Sequence, residues 1–180
     1  MHHLLKMLEG GDRRSIGKSN EVVSVVLEQP MLFEDLFSGM LLEDPLIRMR
    51  CADAAEKVTR LHPEFLKPYK AVLLEQLAKV GQPEVRWHIA PMLVRLPLTE
   101  AEQEVVFDML LSYLSDHSSI VLTFSLQAMF DLAELNTKFR PRVCQYIKEM
   151  SENSAPAVKV RAKQLLKKLT CNTQVQKRIT

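Results

Sequence analysis

Asp44-Pro45-Leu46-Ile47-Arg48-Met49-Arg50-Cys51-Ala52-Asp53-Ala54-Ala55-Glu56-Lys57-Val58 decides the fold, because three later stretches repeat its pattern. With Ile47 as the reference, Val85, Val121 and Val158 take the same place, at spacings of 38, 36 and 37 residues. Two residues upstream stand Pro45, Pro83, Ser119 and Pro156, and eleven downstream stand Val58, Leu96, Leu132 and Leu169. Between them Ala54, Met92, Ala128 and Leu165 align, as do Ala55, Leu93, Met129 and Leu166. A near-constant period of this size is the signature of stacked structural repeats.

The spacing inside the stretch makes it a helix. Ile47, Cys51, Ala54, Ala55 and Val58 form one apolar stripe on a 3.6-residue period. Proline in the first turn loses no needed hydrogen bond and pre-sets φ, so Pro45, Pro83 and Pro156 mark helix starts. A second helix precedes each copy, with Leu36, Leu74, Leu110 and Ile147 in its matching core position. The unit is helix, short turn, helix, written about four times.

The segment Asp44 to Ala55, the Val85-Arg86 pair and Pro156 to Ala162 together resemble the second helix of HEAT repeats, over roughly residues 30–169. The Asp and Arg of that pattern stand together in the first copy. Gln82 replaces Asp in the second, Ser118 and Leu122 replace both in the third, and Ala155 and Lys159 do so in the fourth. The resemblance implies an all-α, right-handed α–α superhelix of about four HEAT-like helix pairs. It also implies that the second helices line the concave side.

Composition bounds the rest. The 180 residues suffice for one continuous core, and 47% hydrophobic with 26% charged residues is ordinary for a soluble globule. No apolar run is long enough to span a bilayer, and residues 1–8 are too short for a secretory signal. Cys51, Cys144 and Cys171 are odd in number and far apart. Cys51 and Cys144 fall on apolar stripes, so buried thiols in a reducing cytoplasm are expected. The net charge of +2 hides an asymmetry: residues 21–139 carry 10 Lys/Arg against 18 Asp/Glu, residues 140–180 carry 10 against 2. Such a basic end fits either an acidic or nucleic-acid partner, or the polar outer face that a terminal repeat needs.

In chain order, a flexible segment is expected over residues 1–18, one HEAT-like domain over 19–170, and a polar tail over 171–180. Ser19 or Asn20 suits the N-cap of a first helix that is apolar nearly all round and covered on two sides. Gly81 suits a left-handed residue past a helix end. Thr99-Glu100-Ala101-Glu102 has capping-box spacing.

The standard catalytic signatures are absent: no Gly-rich phosphate loop, no His-Glu-x-x-His, no Cys-x-x-Cys, no Gly-x-Ser-x-Gly. No catalytic residue, cofactor or metal site is assigned. His88 has one carboxylate a helical turn away, Glu84, and reads as structural or solvated.

The stripe farthest from the core centre is more informative. It holds Met49, Asp53 and Glu56, then Trp87, Pro91 and Val94, then Thr123, Gln127 and Phe130, then Val160, Gln164 and Lys167. Met49, Trp87, Pro91, Val94 and Phe130 would form an apolar patch there, flanked by Arg48, Arg50, Arg86 and His88. An exposed patch with an aromatic anchor is what recognition requires. The other reading is that neighbouring repeats bury it, and that the arginines pair with adjacent carboxylates.

Two functions follow as expectations. One is a non-catalytic protein-interaction module, a scaffold or adaptor holding a protein segment or serving as a subunit of a larger complex. The other is nucleic-acid binding through Lys159, Arg161, Lys163 and Lys167, distantly similar in architecture to the HEAT-like alkylated-base DNA glycosylases. Self-association is a third reading open to any solenoid, and no membrane association is expected.

Overall fold

The computed structural model of the chain describes residues 3–12 and 14–176, with side chains through residue 169, and every regular element among them is helical. The backbone packs as two units, Met1–Pro97 and Leu98–Thr180, where the sequence reading expects one domain over 19–170.

The first unit contains α1 (His3–Lys6), α2 (Ser19–Glu28), α3 (Phe33–Gly39), α4 (Pro45–Leu61), α5 (Lys70–Glu75) and α6 (Pro83–Arg95), with short 3-10 turns between several of them. Its centre is α4, which packs against α2, α3 and α6. The start of α4 is set by Asp44, whose Oδ1 accepts hydrogen bonds from the Leu46 and Ile47 amides at 2.8 and 3.1 Å. Pro45 then occupies the first turn. Ile47, Cys51, Ala54, Ala55 and Val58 are all buried. Gly39 lets α3 close onto α4, since a Cβ there would collide with the Cys51 sulfur and with Leu5 Cδ2.

The second unit contains α7 (Glu100–Tyr113), α8 (Ser119–Leu135), α9 (Arg140–Asn153) and α10 (Pro156–Gln176). Here α8 packs against α7, α9 and α10. The Thr99 capping box is formed: Thr99 Oγ1 accepts from the Glu102 amide, and Glu102 Oε2 accepts from the Thr99 amide at 2.7 Å. Val121, Ala128, Met129 and Leu132 on α8 are buried, as are Val158, Leu165 and Leu169 on α10.

Several local expectations meet a different arrangement. Leu74 is only half-buried, and Leu73 and Leu77 take the core. Helix α5 is six residues long and flanked by 3-10 turns, which rotates the register by one residue. Gly81 is not left-handed. Ser19 lies inside α2 rather than capping it, and Lys18 holds the N-cap without a side-chain bond. That helix buries Val22 and Val26, while Val23, Val25 and Leu27 are half-exposed and Ser24 is exposed, so one side faces solvent. Cys144 is exposed, although Cys51 is buried and burial pushes its thiol up to about 12. The Cys171 side chain lies outside the described residues.

The segment expected to be flexible over residues 1–18 is packed where it is described. Leu4, Leu5 and Leu8 are buried. The next residues run past Arg50, whose guanidinium donates to the carbonyls of Leu8, Gly10, Asp12 and Ser15 at 2.7, 2.6, 3.2 and 3.1 Å. Arg50 is 2% exposed. Gly17 permits this approach: its φ is +55°, and a Cβ would sit 2.8 Å from Arg50 Cζ. At the other end, α10 continues through Gln176 into the expected polar tail, and residues 177–180 lie outside the described residues.

Candidate interaction face on the second helices

Arg50 is not one of a displayed row of cations, as its carbonyl cage shows, and neither are its neighbours. Arg48 Nε donates to the Leu42 carbonyl at 2.8 Å and its Nη2 to the Glu43 carbonyl at 3.3 Å. Arg86 Nε donates to the Val80 carbonyl at 2.9 Å. In both cases the side chain reaches back six residues to the turn that precedes its own helix. These arginines satisfy carbonyls that a turn leaves without partners.

The stripe expected to form the patch is largely covered. Met49 is 5% exposed, Val94 7% and Phe130 7%. Trp87 and Pro91 are the two patch residues that remain partly exposed. On α4, Arg50 is met by the carbonyls of Leu8, Gly10, Asp12 and Ser15, and Asp53 by Ser19 of α2. In the second unit the Lys168 ammonium stands 6.0 Å from the Phe130 ring centroid.

Between α4, the start of α2 and α6 the first unit builds a charged layer. Asp53 on α4 is 6% exposed, and its Oδ2 accepts from Ser19 Oγ of α2 at 2.5 Å and from Lys57 Nζ at 2.7 Å. Glu56 is 3% exposed and accepts from Arg60 Nη2 at 2.5 Å and from Arg95 Nη2 of α6 at 2.6 Å. Arg95 also donates to the Glu56 carbonyl at 3.1 Å and to Thr59 Oγ1 at 3.3 Å. Burial alone would raise the Glu56 carboxyl, but the two arginines outweigh it and hold it below its ordinary value. Gln82, in the place of Asp44, leaves its own helix uncapped and donates instead to the Pro45 carbonyl at 2.8 Å. It therefore ties the start of α6 to the start of α4.

His88 sits at the edge of this layer, with its ring 5.6 Å from that of Trp87 in an edge-on arrangement. Its Nε2 is 3.8 Å from Asp53 Oδ1, beyond hydrogen-bonding reach. Burial lowers the imidazole to about 4, against the opposing pull of Asp53 and Glu56, with Lys57 and Arg60 reinforcing burial. Burial is the largest of these influences, and Lys57, which pairs with Asp53, offsets part of the carboxylates' pull. At neutral pH His88 and Asp53 are therefore in contact but not an ion pair.

Pro91, inside α6, has no N–H to close the helical bond to the Trp87 carbonyl. The arrangement is chemically a pair of buried carboxylates matched by three cations, with a partly exposed indole beside His88 on α6. Sequence reading found Trp87, Pro91 and the carboxylates but not their partners. The spacing of Asp53 with Lys57 and of Glu56 with Arg60, four residues apart, was a usable signal. Nothing local marks Arg95 or Ser19 as joining them.

In the second unit, Arg161 donates to Gln127 Oε1, and Gln127 Nε2 donates to Asp131 at 2.5 Å. Arg161 thus belongs to a link between α8 and α10. Lys163 and Lys167 are exposed and Lys159 is half-exposed, all on one face of α10. No group of three or more His, Cys, Asp or Glu among the described residues is placed to hold a metal ion, and none of the helices searched is long and apolar enough to cross a membrane. No protein-family model matches the chain, and no curated protein matches it either.

Proposed function

We propose that the chain is a non-catalytic protein-interaction module, an adaptor or scaffold built from HEAT-like helix pairs and working in a reducing cytoplasm. A partner's protein segment docks on the α4/α6 face with Trp87 as its anchor. The observation that carries this reading is the setting of Trp87. It is a partly exposed aromatic on a helix fixed by the Glu56–Arg95 pair and the Gln82–Pro45 bond. Large aromatics on rigid supports dominate interface energetics. The carboxylates of Asp53 and Glu56 on the neighbouring α4 are committed to internal cations.

The test is affinity capture with wild-type chain and Trp87→Ala, followed by binding measurements on any protein retained. A partner held by wild type and weakened at least tenfold by Trp87→Ala supports the proposal. Identical retention by both refutes it.

A second reading rests on Lys159, Lys163 and Lys167, which repeat every four residues along α10 within a stretch carrying 10 basic against 2 acidic residues. Such a row can follow a phosphate backbone. Binding to duplex DNA would then fall steeply with salt and weaken on Lys159→Gln with Lys163→Gln. A flat salt response excludes it.

A further inference from the structure

The first unit also has a small aromatic groove, lined by residues of the 3-10 turn Pro63–Tyr69 and of α3. It is open to solvent, with a volume of about 290 Å³. Phe33, 3% exposed, forms its floor, with Phe65 at 5.4 Å and Tyr69 at 5.7 Å between ring centroids, both edge-on. Tyr69 is in turn stacked on buried Phe37 at 4.1 Å, which fixes the wall. Phe65 and Tyr69 are partly exposed, and Met31, at the rim, is 82% exposed. The rim also carries the exposed carboxylate of Glu34.

Among the described residues, the one charged residue lining the groove is acidic, Glu34. Burial, and after it Glu34 and Asp35, raise the Tyr69 phenol above its ordinary value, so both carboxylates bear on this wall. Of the nearby cations, Lys70 donates to the Pro97 carbonyl at 3.2 Å, and Lys67 lies exposed on the 3-10 turn. Residues 21–139 together carry 18 acidic against 10 basic residues.

We infer that this groove binds an arginine side chain of an extended basic peptide, its guanidinium stacked against Phe65 and Tyr69 and its charge met by Glu34. The volume suits one long side chain. Aromatic faces attract a cation, and a planar guanidinium both stacks on a ring and pairs with a carboxylate. Being more weakly hydrated than an ammonium, it loses less on leaving water, so arginine is preferred to lysine. This site shares no residue with the Trp87 face and does not depend on that reading.

The test is fluorescence anisotropy with a fluorescein-labelled Gly-Ser peptide carrying three spaced arginines, at low salt. Saturable binding is expected, weakened at least fivefold by Phe65→Ala and by Glu34→Gln, and unaffected by Trp87→Ala. Glu34 is on the surface, so its variant keeps the fold even if Phe65→Ala loosens the turn, and melting curves verify this. Replacing the arginines by citrulline should abolish binding. The proposal is overturned if there is no saturable binding, if both variants bind like wild type, or if the citrulline peptide binds equally well. A concentration-dependent mass in sedimentation that Phe65→Ala removes would make a second copy of the chain the occupant, and would also overturn it.

Discussion

Replacing Arg50 with methionine should release the N-terminal segment from α4. Four hydrogen bonds end on that guanidinium, at 2.6 to 3.2 Å, and all four acceptors are backbone carbonyls. Breaking a hydrogen bond to a charged group costs about 1.5–3 kcal/mol, so a simple sum gives roughly 6–12 kcal/mol. That sum overstates the loss, because a domain's whole stability is only about 5–15 kcal/mol. Burial of the guanidinium also offsets part of each bond, and the carbonyls regain water once the segment lifts. The loss is capped by what the segment contributes through Leu4, Leu5 and Leu8, each worth about 1.5–3 kcal/mol before the entropy of ordering the chain. A destabilisation of about 2–4 kcal/mol follows, equivalent to a Tm lowered by roughly 5–15 °C. Denaturant unfolding measures the first quantity, and limited trypsin digestion at Arg14 and Lys18 reports the local release. A change under about 0.5 kcal/mol with unchanged cleavage would refute the cage as a structural element.

Acid should destabilise the fold through His88. Between about pH 4 and 6.5 the unfolded chain holds a proton on this residue that the folded chain does not, so stability rises with pH across that window. The difference is on the order of 3 kcal/mol between the two ends, and His88→Gln should flatten the slope in pH-dependent urea unfolding. Glu56→Gln removes a buried anion between Arg60 and Arg95, and should cost about 2–3 kcal/mol, because both arginines retain some access to water. Glu56 also adds acid sensitivity of its own, since its lowered carboxyl stabilises the fold above the ordinary carboxylate range and the contribution is lost as pH falls through it. Thr99→Ala removes the capping box of α7 and should lower stability by about 1 kcal/mol in thermal melts.

The helix pairs were legible because their causes are local. Pro at the first turn, Asp44 and Thr99 as caps, and stripes on a 3.6-residue period each act within one or two helical turns. What the chain did not disclose was tertiary. A helical wheel of α4 points Met49, Asp53 and Glu56 away from the core, yet all three are buried. The same error misread residues 1–18 as flexible and the α4 face as open: the described residues of that segment and the start of α2 meet Arg50 and Asp53, and Arg95 of α6 meets Glu56. The segment's glycines and charges suggest a loose end, but Arg50 supplies from 35 to 42 residues away the donors that order it. Arg95, 39 residues from Glu56, is a partner of the same long-range kind. Of the five residues expected in the patch, Trp87 and Pro91 stay partly exposed, and Met49, Val94 and Phe130 do not.

The most direct test of Trp87 as an accessible anchor is its own fluorescence, since the chain has a single tryptophan. In the folded protein the indole should emit between the buried and fully hydrated limits, and acrylamide should quench it at a rate well above that of a core tryptophan. Blue-shifted emission that acrylamide leaves untouched would contradict the account, because an indole sealed inside the fold cannot hold a partner.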